Sequence, residues 1–176
     1  MIIRFVVVFC LALLLGCKST QTSMVIADNY DEKTNITTLI LLPYGNIDIP
    51  GHWKKTKYLE TSKQHFFEGI DSTSIAVAKA PQAEYSFYSD TMSDSEFAKE
   101  FFRWDSRFYK ENGYKPERVE TGTNGDYIVW KVMSKNINTI LLYGGKDKFA
   151  YNFGVFSDNW PDEQKINFLI ELFVNN

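Results

Sequence analysis

The sequence is poor in the residue types that build metal and nucleophilic sites. Its 176 residues include two cysteines, Cys10 and Cys17, and two histidines, His52 and His65. A protein zinc site draws its ligands mainly from Cys and His at short spacings, and no such motif occurs. Neither a Gly-x-Ser-x-Gly elbow nor a phosphate-binding loop is present. We therefore predict no catalytic residue, no metal and no cofactor, and expect a protein that is not an enzyme.

Strong charge of either sign is also lacking. The chain carries 19 Lys and Arg against 22 Asp and Glu, for a formal net charge of −3. Without a long basic run it is a poor candidate for binding nucleic acid. Its 44% hydrophobic and 23% charged residues are typical of folded proteins. Aromatic residues reach 16%, an excess that favours a protein-binding face.

No apolar run is long enough to cross a membrane as a helix. The longest, FVVVFCLALLL at residues 5–15, is well short of the roughly 20 residues that a membrane-spanning helix needs. Its length suits the hydrophobic region of a signal peptide, and Arg4 supplies the preceding positive charge. We predict that residues 1–16 are a cleaved export signal.

The apolar run ends in Leu14-Leu15-Gly16-Cys17, which resembles the lipobox of bacterial lipoproteins. The resemblance implies cleavage after the glycine and acylation of Cys17, which would then anchor the chain to a lipid bilayer. The alternative is a plain secretory signal or an uncleaved anchor. Lys18 stands where an inner-membrane retention signal has Asp, which favours the outer membrane within the cell envelope. The face of the membrane is left open.

The remaining chain divides into two parts. Residues 17–34 are polar and lack periodicity, which predicts the lipidated cysteine followed by a flexible tether. Residues 35–176 form one domain. Runs of β-prone residues between turn signals predict strands at 36–42, 47–49, 55–60, 65–69, 73–79, 84–88, 127–133, 139–143 and 149–156. Because strands come in blocks rather than alternating with helices, the fold class is α+β, an antiparallel β-sheet with amphipathic helices packed on it.

Two helices are predicted in this domain. The first begins at Ser93, where Ser93 and Glu96 have the spacing of a capping box, and ends at Asn112-Gly113. Its apolar side chains recur at helical spacing and predict one buried stripe of Phe97, Phe101, Trp104 and Phe108. The second helix begins near Pro161. Its predicted buried face is Ile166, Leu169, Ile170 and Phe173.

The order of elements resembles the PsbP-like fold, named for the extrinsic P subunit of photosystem II. Residues 45–53, GNIDIPGHW, are similar to that fold's opening strand and Pro-x-x-Trp turn. The hairpin at 58–67, the strand at 75–80, the helix after Ser93, the three-stranded meander and the terminal helix follow in the same order. The resemblance covers residues 44–176. It implies an α/β/α sandwich that serves as a scaffold for binding other proteins rather than for a shared reaction.

The two histidines have no predicted chemical role. A hairpin turn centred between Ser62 and Lys63 would pair His65 with Glu60, which is typical of an exposed cross-strand pair. His52 lies beyond this hairpin and has no predicted partner.

Two groups of residues form a candidate binding surface. The first is a row of cations along the polar side of the first helix, suited to an acidic partner or to lipid headgroups: Lys99, Arg103, Arg107 and Lys110. The alternative is a solvated helix face. The second group comes from adjacent aromatics on strands, which face opposite sides, so that one of each pair leaves the core. On this basis Phe67 and Tyr88 are candidate contacts, with a second packed layer as the alternative.

These expectations combine into a hypothesis about function. The chain would be a lipid-anchored envelope module that binds a protein partner without catalysis, with neutralisation of a toxin as a special case. The alternative is a hydrolase of an envelope polymer that uses a pair of carboxylates, since such a pair is defined in space and not by a motif.

Overall fold

The computed structural model describes residues 24–134 and 137–176. The predicted export signal and Cys17 lie outside these residues. Within the described ranges there are two α-helices, α1 (Asp94–Glu111) and α2 (Asp162–Val174), neither of them long and apolar enough to cross a membrane. The strands are β1 (Met24–Asp31), β2 (Ile36–Leu42), β3 (Gly45–Pro50), β4 (Lys54–Leu59), β5 (Gln64–Glu68), β6 (Ser74–Pro81), β7 (Lys115–Thr121), β8 (Tyr127–Ser134), β9 (Ile137–Lys146) and β10 (Phe149–Phe156).

The strands form two antiparallel sheets. The smaller sheet has the order β1-β2-β3, and the larger has the order β4-β5-β6-β10-β9-β8-β7. Except for β3–β4 and β6–β7, strands that follow one another in sequence pair as antiparallel neighbours. Strand β6 meets β10 in the middle of the larger sheet, where Ala76 lies opposite Gly154. The predicted α+β class with an antiparallel sheet and two helices packed on it is confirmed.

The larger sheet is covered on both faces. Because side chains alternate along a strand, Leu141 and Tyr143 of β9 pack with α1, whereas Ile140 and Leu142 pack on the opposite face with α2. The small sheet shares this second layer, and the side chain of Asn176 accepts a hydrogen bond of 2.8 Å from the Asp48 amide of β3. The described part of the chain therefore has three layers: α1, the larger sheet, and a layer formed by α2 and the small sheet.

The prediction of a flexible tether over residues 17–34 is wrong for β1. This strand pairs with β2 through most of its length, with Tyr30 opposite Thr37 and Asp31 opposite Ile36. It is an edge strand, and Asp28, Asn29 and Asp31 stand in its second half. Its main chain pairs with β2, although apolar and polar residues do not alternate along it. The sequence pattern therefore did not predict a strand here.

Two other predictions differ from the structure. Residues 84–88 do not form a strand, because β6 ends at Pro81 and a 3-10 turn follows at Gln82–Glu84. The buried Gln82 side chain donates to Asp94 at 2.7 Å and to the Phe149 carbonyl at 3.3 Å, which directs the chain towards α1. The second difference is β7, an exposed edge strand whose polar residues give no alternating pattern.

Candidate functional site

Helix α1 begins where the sequence predicts. The Glu96 amide donates to Ser93 Oγ at 3.3 Å, and the Ser93 amide donates to Glu96 Oε2 at 2.9 Å, which completes the capping box. Hydrogen bonds from the Ser93 amide and hydroxyl, with Lys99 nearby, hold the pKa of Glu96 below its usual range. The helix ends at Glu111 with Asn112 as its C-cap, and Gly113 follows with a φ of +82°. These caps confirm the predicted boundaries of the helix.

The predicted apolar stripe of α1 is only half buried. Phe97 and Phe101 lie in the core, but Trp104 is 50% exposed and Phe108 is 59% exposed. The ring of Trp104 contacts the rings of Phe87 and Tyr85, at centroid distances of 6.0 and 6.3 Å. The prediction that all four side chains are buried is wrong, because the second half of α1 packs on the sheet through a neighbouring face, formed by Phe102, Ser106 and Tyr109.

The inner face of α1 carries a partly buried carboxyl, Asp105. The Tyr143 hydroxyl on β9 donates a hydrogen bond to Asp105. Burial raises the pKa of Asp105, against the effect of this hydrogen bond. Burial, together with the Asp105 carboxylate, also raises the pKa of Tyr143 well above its ordinary value. The two groups satisfy each other beneath the helix, so this pair holds α1 on the sheet.

The four predicted cations of α1 are all exposed: Lys99, Arg103, Arg107 and Lys110. Arg103 Nη1 lies 2.5 Å from Glu100 Oε1 on the same helix. Arg107 and Lys110 form no ion pair with any residue of the described ranges. Arg107 also neighbours Phe108 and follows Trp104 by three positions. An outer surface of α1, defined by Trp104, Phe108, Arg107 and Lys110, therefore combines exposed rings with cations that are available to a partner.

The two aromatic candidates on the strands are placed differently from the prediction. Phe67 is fully buried in the core on the α2 side of the larger sheet, so it is not a binding residue. The small sheet and α2 supply the second packed layer that covers it. Tyr88 is partly buried beside Phe97, with ring centroids 6.5 Å apart, and Lys148 Nζ lies 5.9 Å from its ring centroid. Tyr88 therefore contributes little free surface.

Hydrolysis by a pair of carboxyl groups would require two that lie together with suitably shifted pKa values. Asp105 is the one carboxyl in residues 24–134 and 137–176 whose pKa is raised. For Asp71, burial alone would raise the pKa, but hydrogen bonds from Thr73 and Trp160 outweigh it and hold the pKa below its usual range. No cluster of three or more His, Cys, Asp or Glu side chains suited to a metal ion occurs in these same residues.

The histidines are not arranged as predicted. The turn of the β4–β5 hairpin spans residues 60–63, so His65 lies opposite Tyr58 rather than Glu60. Lys63 adopts a φ of +54°, which closes the turn one position earlier than the prediction assumed. His65 is buried and stacks on Tyr58 with ring centroids 4.5 Å apart. His52 stacks on Tyr30 of β1 at 4.1 Å, a partner that the prediction lacked.

A groove of about 770 Å³ lies at the C-terminal end of α1. It is bounded by α1, by the ends of β8, β9 and β10, by the loop that follows β10, and by the turn between β5 and β6. Its lining residues are Ser72, Phe108, Tyr109, Asn112, Tyr114, Val132, Thr139, Phe156, Ser157, Asp158 and Asn159. The sequence did not predict this groove, since its residues come from five separate segments.

One wall of the groove is fixed by hydrogen bonds. Ser157 Oγ accepts from the Asn159 and Trp160 amides at 3.1 and 3.2 Å and lies 3.0 Å from Thr73 Oγ1. Asn159 Nδ2 donates to the Asp71 carbonyl at 3.2 Å, and Trp160 Nε1 donates to the Asp71 carboxylate at 2.6 Å. The loop after β10 and the β5–β6 turn are thus tied into one unit.

No protein-family model matches the chain, and no curated protein matches it. The chain is similar to the solution structure of cyanobacterial PsbP (CyanoP) from Synechocystis sp. PCC 6803, with 12% sequence identity and a TM-score of 0.45. The match covers 90% of this chain and 96% of that chain. This similarity concerns the overall fold and says nothing of residue roles or partners.

Proposed function

We propose that the chain is a lipid-anchored accessory module of a cell envelope, and that it binds another protein, without catalysis, through the outer surface of α1. The anchor would be Cys17, acylated after cleavage of residues 1–16. The domain would then present α1 to a partner at or near the membrane.

The observation that carries this proposal is the exposure of two large rings on one helix. Trp104 and Phe108 lie one turn apart and are each at least half exposed. Exposed aromatic side chains beside Arg are the residues most often found at the energetic centre of a protein interface. Isolated exposed apolar residues are common, but a Trp–Phe pair beside available cations is a concentrated contact surface.

The geometry of Trp104 supports this role further. Its ring is supported from one side by Phe87 and Tyr85, so the side chain is held in place before a partner arrives. A side chain that is already ordered loses less conformational entropy on binding. Arg107 and Lys110 beside it would attract an acidic partner and speed association at low salt. Because salt screens this attraction, the complex should weaken as ionic strength rises.

Photo-crosslinking in native cells tests this proposal. With p-benzoylphenylalanine in place of Trp104, we expect one covalent product of defined mass. Its yield should fall at least tenfold when Arg107→Glu and Lys110→Glu are combined with it, as for loss of about 1.4 kcal/mol of binding energy.

Tyr58 is the matched control position, because it is 41% exposed and its register places it on the opposite face of the larger sheet. The crosslinker at position 58 should not give the product. The same product from both positions, or none from position 104, would rule out the outer surface of α1 as the contact.

A further inference from the structure

We propose that the groove at the C-terminal end of α1 is a binding site for a neutral oligosaccharide. This site is separate from the outer surface of α1, with which it shares only Phe108. Its volume of about 770 Å³ is within the range of ligand sites in proteins, about 300–1,000 Å³.

Aromatic rings supply the apolar part of the site. Phe108, Tyr109, Tyr114 and Phe156 line the groove. Neighbouring rings are nearly perpendicular: Phe108 and Tyr109 meet at 84° and 5.9 Å, and Tyr109 and Tyr114 at 81° and 5.6 Å. The groove therefore offers both ring faces and ring edges. Pyranose rings have C–H groups on their faces, and these pack on aromatic faces, which carry a negative quadrupole.

The polar part of the lining is almost entirely neutral. Ser72, Asn112, Thr139 and Asn159 contribute hydroxyl and amide groups, which can both donate and accept hydrogen bonds. Each sugar hydroxyl has the same dual capacity, so the two sets are complementary. Asn112 uses Nδ2 to donate to the Phe108 carbonyl at 2.8 Å, and its other side-chain atom, Oδ1, remains an acceptor.

Charge decides between a neutral and an anionic ligand. No Lys, Arg or His is among the lining residues of the described ranges, and Asp158 is the one charged side chain there. A phosphate or carboxylate ligand would lack a counter-charge and would be repelled by Asp158. A neutral sugar can instead donate a hydroxyl hydrogen bond to that carboxylate, which is the stronger, charge-assisted kind.

The wall formed by the loop after β10 is already ordered by its hydrogen bonds to Asp71 and Thr73. Because little of this wall would need to be ordered on binding, the loss of conformational entropy that opposes binding is reduced.

The test is titration of the full chain, in detergent where needed, with chitotetraose and with maltotetraose, followed by isothermal calorimetry and by NMR shift mapping. We expect saturable binding of at least one of the two sugars, with shifts confined to the groove. Tyr114→Ala should weaken the Kd at least tenfold, while Tyr114→Phe should retain most of the affinity because the ring remains. A sulfated tetrasaccharide should bind at least tenfold more weakly than the neutral probe.

Two further variants keep the test decisive. Asp158→Ala changes an exposed loop side chain and provides a second reading if Tyr114→Ala does not fold. Arg107→Glu combined with Lys110→Glu lies outside the groove lining and should leave sugar binding unchanged while lowering the yield of the crosslink from position 104, so the two proposals can fail separately. Absence of binding by both neutral sugars, unchanged affinity in both Tyr114→Ala and Asp158→Ala, or shifts mapping elsewhere would overturn the assignment.

Discussion

At the residue scale, His65 departs furthest from its sequence-based interpretation. The side chain is 2% exposed, and its Nδ1 has no hydrogen-bond partner among the described residues. Burial and the neighbouring Lys55 lower the pKa of His65 to about 4. The folded chain therefore holds a neutral imidazole over a wide range of pH, and a proton on this ring is unfavourable in the folded state.

This arrangement predicts a loss of stability in acid. The unfolded chain binds the proton near the ordinary His pKa of about 6.5, well before the folded chain does. The stabilisation of the folded chain by neutral His65 is complete above about pH 6.5. It is lost as the pH falls towards 4, and below that value the loss levels off. We expect a decrease of about 3 kcal/mol in the free energy of unfolding, since each unit by which the folded and unfolded pKa values differ is about 1.4 kcal/mol.

Urea unfolding from about pH 7 to about pH 4 measures this decrease. His65→Phe should remove it, whereas His52→Phe, which changes an exposed ring, should not. Equal pH dependence in the parent chain and in His65→Phe would show that another group is responsible.

At the element scale, two adjacent glycines allow both helices to approach one strand. A Cβ atom on Gly144 of β9 would overlap the ring of Phe173 on α2. On the opposite face, a Cβ atom on Gly145 would lie 2.9 Å from the Asp94 carbonyl oxygen at the start of α1. The sequence pattern marks these glycines only as part of a break between strands. In the structure they set how closely the two helix layers pack on β9.

Gly144→Ala should therefore lower the free energy of unfolding by about 1–3 kcal/mol, the usual effect of overpacking. Phe173 is almost completely buried, so its ring has little room to move aside. Phe173→Leu should be destabilising alone, yet should recover part of the loss when combined with Gly144→Ala. Denaturant unfolding of the four chains in a double-mutant cycle measures this coupling. Strict additivity would mean that the two residues do not clash.

At the scale of the whole molecule, the distance between anchor and domain is shorter than the sequence indicates. Strand β1 begins at Met24, so residues 18–23 are all that separate it from Cys17. Six residues reach at most about 21 Å when fully extended. Under the proposed lipidation the domain would thus lie close to the bilayer, within reach of partners embedded in it.

The anchor itself is tested by Cys17→Ser. This substitution should abolish acyl labelling and move the chain from the membrane fraction to the soluble fraction, because stable attachment depends on several acyl chains at one residue. Metabolic labelling with a palmitate analogue and membrane fractionation measure the two effects. Unchanged fractionation, with labelling absent in the parent chain as well, would leave no basis for a lipid anchor.

Local physics explains what could be predicted from the sequence. The capping box at Ser93 and Glu96 depends on residues three apart, and β9 and β10 are recognised as runs of β-prone residues separated by short polar breaks. Such features lie within one segment, so the boundaries of α1 and the three-stranded meander follow from the sequence. Strands without a local pattern, such as β1 and β7, were missed because edge strands need no buried face.

The sequence by itself determined the α+β class, the two helices, most of the strands and the apolar segment that ends at Cys17. Tertiary structure alone decided that Phe67 is in the core, that Trp104 and Phe108 face solvent, and that five distant segments form one groove. Helical spacing states which side chains share a face, but only the packing of α1 on the sheet decides which of its neighbouring faces is covered. Exposure and concave shape are therefore properties of packing between elements, which no single segment contains.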